Sequence, residues 1–273
     1  MNIAIICIRE IKNLIVNHYL LAMTILLAIL AFAIVFLGST PIGGTKIDKL
    51  ILDVSSLSSL SIFLLPLIAL FISYDSIVGE YEKGNLLLIL SYPISKEELL
   101  LGKFIAHWIT ISIAIIIGYS IALSSLLFTN EIINFDSIMA YLRLLFSSVL
   151  LAGVFIALGY LVSVSVNLRT SSVALCIGIW LTFVILFDMF VLGLLVSNIT
   201  DVLTAEVLNK ILLLNPVDIF RLCSIGEQSN NLVPLQTFSQ YNMLSTNTLL
   251  LILILWLVTP LIISVYIFKR KKI

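Results

Sequence analysis

Glu80, Glu82 and Lys83 bring three charges within four residues of a chain that carries few, and Gly84 follows them at once. Carboxylates at the start of a short helix favour its dipole and can meet basic groups on another protein. By spacing alone the plainer reading is a solvated turn. Asp188 lies deep in an apolar run, where its desolvation requires that it face the bundle, a cavity or a partner. Its simpler role is to reach the outer interface or to pair with a helix end. His18 and His107 are the two histidines; without ligand spacing around them they read as interfacial imidazoles rather than metal ligands. Cys7, Cys176 and Cys223 are far apart on different elements, which argues against a disulfide framework. No Gly-x-x-x-x-Gly-Lys-Ser/Thr loop occurs, Gly102-Lys103 lacks its partner glycine, and there is no Gly-x-Ser-x-Gly elbow. The expectation is a chain without catalytic, cofactor or metal residues of its own.

The elements that must position these residues follow from composition. Of 273 residues 61% are apolar and 11% charged, against about 25% charged in ordinary globular chains. Mean hydropathy is +1.20. A soluble protein could not hide so much apolar surface, which excludes a soluble enzyme, a nucleic-acid binder and a disordered regulator. The formal charge is zero, so nothing points to a polyanionic partner. Six stretches approach or exceed the length of a membrane-spanning helix: Tyr19–Leu37, Leu57–Tyr74, Phe104–Phe128, Leu144–Val166, Ser171–Val196 and Leu249–Phe268. Continuous apolar runs such as Ile111–Ile117 exclude a barrel. The first stretch is too long for a signal-peptide core and reads as a retained helix. The expected fold class is an all-α integral membrane protein with six transmembrane helices. Arg9, Lys12, Lys83, Lys96, Lys103, Arg169 and the terminal Lys-Arg-Lys-Lys run outnumber Lys46, Lys49, Arg143, Lys210 and Arg221 on the other side. That asymmetry places both termini in the cytoplasm.

A single membrane domain, residues 1–273, therefore carries three extra-membrane features. Residues 1–18 mix Arg9, Glu10, Lys12 and Asn13 with isoleucines and read as an interfacial helix. Residues 75–103 form the longer inner segment. Within it Asn85–Leu90 reads as a short helix stopped by Pro93, and Ser95 with Glu98 fits a capping box leading into the third span. Residues 197–248 form an outer loop with short helices. Thr200–Leu214 has helical spacing, and Asn215, Pro216 and Asp218 supply N-cap, first-turn proline and first-turn acid for a second helix through Leu222. The polar stretch Glu227–Gln240 follows without periodicity. Pro66 could kink the second span, and Gly118 with Ala122 and Gly153 with Ala157 permit close helix contact.

Glu80, Glu82 and Gly84, followed by Leu90-Ser91-Tyr92-Pro93-Ile94-Ser95 and Gly102-Lys103, resemble the inner motif of the ABC-2 family of ABC-transporter permeases. The outer Leu214-Asn215-Pro216-Val217-Asp218-Ile219-Phe220-Arg221 resembles the Leu-Asn-Pro-x-x-x-Phe-Arg motif of that family's NosY-like branch, associated with copper maturation and with many permeases of unknown cargo. Asn85-Leu86 departs from the family's usual threonine and acidic residue. The resemblance implies an ABC-2 (type V exporter-like) permease fold and a non-catalytic subunit in the cell membrane. It implies a homodimer or heterodimer of permeases bound to two ABC ATPase subunits, which would hold the ATP and Mg. It makes residues 75–103 a coupling segment, with Glu80, Glu82, Lys83 and Gly84 at the ATPase contact. The amino-terminal helix would be the family's connecting helix. An accessory protein on the outer face and membrane lipid complete the expected partners; no nucleic acid is expected.

The competing reading is a stand-alone ion-coupled carrier or channel. Such a carrier places several ionisable residues at mid-membrane and often has paired halves; this chain shows Asp188 and no repeat. Copper as cargo has little support, since the spans lack a ladder of Cys, Met and His.

Overall fold

A computed structural model describes residues 2–38, 49–126, 135–196, 205–225 and 245–271. Among these, all regular structure is helical. α1 (Asn2–Val16) leads into α2 (Tyr19–Gly38), and α3 (Lys49–Ser73) is followed by the short α4 (Val78–Glu82) and α5 (Asn85–Leu90). Then come α6 (Lys96–Leu126), α7 (Phe135–Ser165), α8 (Arg169–Leu181) and α9 (Phe187–Val196), the last two joined by a π-turn at Thr182–Leu186. α10 (Ala205–Leu212), α11 (Pro216–Ile225) and α12 (Thr246–Arg270) complete the chain. Residues 200–204 of the expected outer helix and the stretch Glu227–Gln240 lie outside the described residues.

Among the described residues, five helical segments are long and apolar enough to cross a membrane: α3 running on through α4, α6, α7, α8–α9, and α12. The sixth expected span corresponds to α2, a 20-residue helix whose apolar stretch among the described residues is the shorter Ala22–Ala33. The spans begin earlier than apolar runs suggest, because helices continue through polar residues whose partners lie in the bundle. α3 starts eight residues before Leu57 and includes buried Asp53; α6 starts at Lys96 and includes buried Lys103 and His107. Asp188 is therefore not the single ionisable residue within the helices, as apolar runs alone would have it.

α7 is the central helix, packed against α3, α6, α8, α11 and α12. Small residues make this possible. A Cβ at Gly153 would come within 2.6 Å of Leu257 and 2.8 Å of Trp108 Nε1, and one at Gly159 would overlap the Ser73 hydroxyl. At Gly118 a Cβ would press on Leu27 and Ala28 of α2. Trp108 donates its indole N–H to Val149 O at 2.9 Å, tying α6 to α7.

Both described ends of the chain meet the first turns of α6. A Cβ at Gly102 would touch Ile6 at 2.9 Å and Ile3 O at 3.1 Å, while Lys96 Nζ donates to Lys271 O at 2.7 Å. Lys271 Nζ in turn donates to Val164 O (2.9 Å) and Val166 O (2.8 Å), the carbonyls that the end of α7 leaves without helical partners. The same ammonium lies 4.7 Å from the Tyr81 ring centroid on α4. One lysine thus joins α4, α7 and α12 on the face that carries both ends.

Candidate functional sites

The first site surrounds α4 on that face. Lys103 is 4% exposed, and its Nζ donates to Glu80 Oε1 at 2.5 Å and Ser76 O at 2.9 Å. Glu10 Oε1 of α1 lies 3.8 Å from Lys103 Nζ and 3.7 Å from His107 Nε2. The other ring nitrogen of His107 lies 2.9 Å from the Tyr160 hydroxyl on α7. Burial pushes the Glu10 carboxyl up, but the facing His107 and Lys103 together pull it down to about 2. Two carboxylates therefore share one ammonium, and Glu80 Oε2 is buried with no hydrogen-bond partner among the described residues. Beside this network is a cavity of about 410 Å³ between α1, the end of α3 and α4–α6.

Further contacts hold α4 to the bundle. Asp75 and Arg169 form a bidentate pair, and Glu82 Oε2 accepts the Arg169 backbone N–H at 3.1 Å. Ser163 Oγ of α7 accepts the N–H groups of Ile77 (3.1 Å) and Val78 (3.0 Å), two orphan donors at the start of α4. Glu80 thus turns inward to Lys103, whereas Glu82, Lys83 and Gly84 are exposed. Gly84 has φ +71° with open space around its Cα, so it is a turn glycine rather than a close-approach glycine within the chain. Ser95 and Glu98 form the expected reciprocal capping box, at 2.9 and 3.2 Å. Sequence reasoning missed the partnership of Lys103, His107 and Glu10. The available signal was the i, i+4 spacing of Lys103 and His107, which puts both on one face of α6.

The second site lies midway along the spans, where α11 meets Ser58 of α3 and the turn before it meets Trp256 of α12. Asn215 is fully buried: its Oδ1 accepts the Val217 N–H at 3.0 Å, capping α11. Its Nδ2 donates to Asp218 Oδ2 at 3.0 Å and to Phe183 O at 2.9 Å. Phe183 belongs to the π-turn, where the widened helical pattern leaves a carbonyl available. Arg221 bridges Asp218 at 2.7 Å and Asp188 of α9 at 2.8 Å. Asp188 therefore pairs with Arg221 of α11. Val217, Ile219 and Phe220 are fully buried, in a helix packed on α3, α7 and α12, and Pro216 takes the first helical position. The Leu214–Arg221 motif thus gathers the residues that dock one amphipathic helix. Burial pushes the Asp218 carboxyl up; Arg221 opposes this and Asp188 adds to it, leaving it at about 6.

The three cysteines are free and buried. Among the described residues, no group of three His, Cys, Asp or Glu side chains is disposed to hold a metal ion.

Residues 4–273 match the ABC-2 family transporter protein. A protein of Stutzerimonas stutzeri named "Probable ABC transporter permease protein NosY" is 35% identical over 266 residues, covering 96% of this chain and 96% of its own. A protein of the same name from Pseudomonas aeruginosa is 36% identical over 270 residues, covering 97% of each. The agreement runs the length of the chain and takes in both motifs, so this helical membrane protein belongs to the ABC-2 family of transporter proteins.

Proposed function

We propose that the chain is the membrane-spanning, non-catalytic permease subunit of an ABC transporter. It would couple ATP hydrolysis by a separate ATPase subunit to transport or to force transmission across the membrane. Both named relatives are permeases of such transporters. On this reading α2 is the sixth span, and α1, α4–α5 and Lys271 face the cytoplasm, in keeping with the excess of basic residues there. ATP and Mg are bound by the ATPase, and a second permease copy or relative completes the complex.

One observation carries the coupling role. α4–α5 is anchored to α6, α7 and α8 on its inner side, while Leu87 and Leu88 are 60% and 67% exposed on its outer side. A short helix with its own apolar residues in the open and rigid links beneath is suited to receive a push from a docked protein. Glu82, Lys83 and Gly84 flank that surface, and Glu80 passes the load to Lys103. The second site holds α11 on the span bearing the π-turn, beneath the outer face where a partner would dock.

The test is co-expression with a partner ABC ATPase, sought first among the neighbouring genes. The wild-type permease should co-purify with it and support ATP turnover, while the lone chain should hydrolyse none. Leu87→Asp with Leu88→Asp should abolish co-purification at unchanged membrane yield. Retention of the ATPase by that variant would remove α4–α5 from the contact.

A further inference from the structure

We propose that the cavity beside α4 binds the headgroup of an aminophospholipid, with its ammonium toward the Glu10 and Glu80 carboxylates and its phosphate toward Lys83. The inference rests on placing this face at the headgroup level of the membrane, not on the ATPase contact. Glu10, Asp75, Glu80, Lys103 and His107 line the inner wall; with Asp75 paired to Arg169, two carboxylates and an imidazole face one ammonium. A primary ammonium supplies these carboxylates with a positive charge and N–H donors; a quaternary ammonium supplies no donor. The rim has the opposite character. Lys83 lines the cavity and is exposed, so a group with ammonium inward and phosphate outward matches the polarity. Phe71, three-fifths exposed, lines the mouth two residues before α3 ends and offers a surface for an acyl chain. A basic side chain from a protein partner would satisfy Glu80 but would leave Lys83 and Phe71 unmatched.

The full chain is reconstituted in nanodiscs of phosphatidylcholine with a minor share of phosphatidylethanolamine, and tightly retained lipid is identified by native mass spectrometry. Phosphatidylethanolamine should be enriched about tenfold, the return expected from one charge-assisted hydrogen bond. Glu80→Gln should abolish the enrichment. Asn13→Trp, which plugs the mouth from α1 and leaves the Glu80–Lys103 pair intact, should do the same. Equal retention of the two lipids, or enrichment unchanged in both variants, overturns the proposal. Displacement of the lipid by soluble phosphoethanolamine at comparable concentration would assign the site to a free metabolite instead. A photo-cross-linker at Asn17 that captures the ATPase rather than lipid in the assembled complex would assign the cavity to the protein partner.

Discussion

Arg221 serves two carboxylates on different elements, and that division sets what each substitution should do. Arg221→Met leaves Asp188 and Asp218 facing one another, and loss of one partner of a largely buried pair costs about 2–4 kcal/mol. Asp188→Asn in the same background should restore part of that loss, so a double-mutant cycle on thermal stability should show coupling rather than additivity. Asp218 adds a pH signature. Its carboxyl stands at about 6 in the fold against an ordinary 3.8, so the native state holds the proton more tightly than the unfolded chain. The stability it contributes is full below about pH 4, falls as pH rises, and is lost above about 6, a span worth about 3 kcal/mol. Glu10 acts in the opposite sense: lowered from 4.5 to about 2, it stabilises at neutral pH and loses that effect as acid titrates it. Melting temperatures from pH 4 to 7 should therefore be compared between wild type and Asp218→Asn. The variant should lose the component that declines with rising pH. Gly84 makes a sharper residue-level case, because its φ of +71° and open surroundings separate strain from crowding. Gly84→Asn, which tolerates the left-handed region, should keep ATPase association, while Gly84→Val should lose it.

Helices with a local signal were legible in the sequence, and those defined by distant partners were not. α5 occupies the expected Asn85–Leu90 because an apolar run and Pro93 bound it locally, and α1 and the Ser95–Glu98 capping box are equally local. The early starts of α3 and α6 were invisible to apolar runs: Asp53, Lys103 and His107 are tolerated by neighbours that only the fold supplies. The π-turn at Thr182–Leu186 had no signal in residue type; it is recognised through Asn215, 32 residues away, which takes its free carbonyl. Asn215→Ala should therefore act twice, uncapping α11 and orphaning Phe183 O, at a cost of about 2–3 kcal/mol in thermal or denaturant unfolding. Asn215→Ser, which keeps a capping oxygen and loses the amide donor to Phe183, should fall between wild type and Asn215→Ala. Wild-type stability in Asn215→Ser would show that the π-turn does not depend on this residue.

Across the whole molecule, the two charged sites stand apart, one where α7 ends and one midway along the spans. Orientation can be tested with single cysteines in a background lacking the native three. A cysteine at Asn85 should be protected from an impermeant reagent added outside intact cells, and one at Asn230 should react. The reverse pattern would invert the protein in its membrane. The Lys271 contacts also carry an implication for the order of assembly. Tyr81, Val164 and Val166 are synthesised well before Lys271, so these parts can be inserted and packed while the fastening between them is still missing. Biogenesis would then have a late checkpoint: a chain that has not yet made α12 lacks this one tie between α4 and α7 and leaves the Tyr81 ring uncovered, and one that has made it closes both. An ATPase that recognises the locked form would engage only after synthesis of that span, and chains arrested before Lys271 should show Tyr81 more open to protease than finished ones.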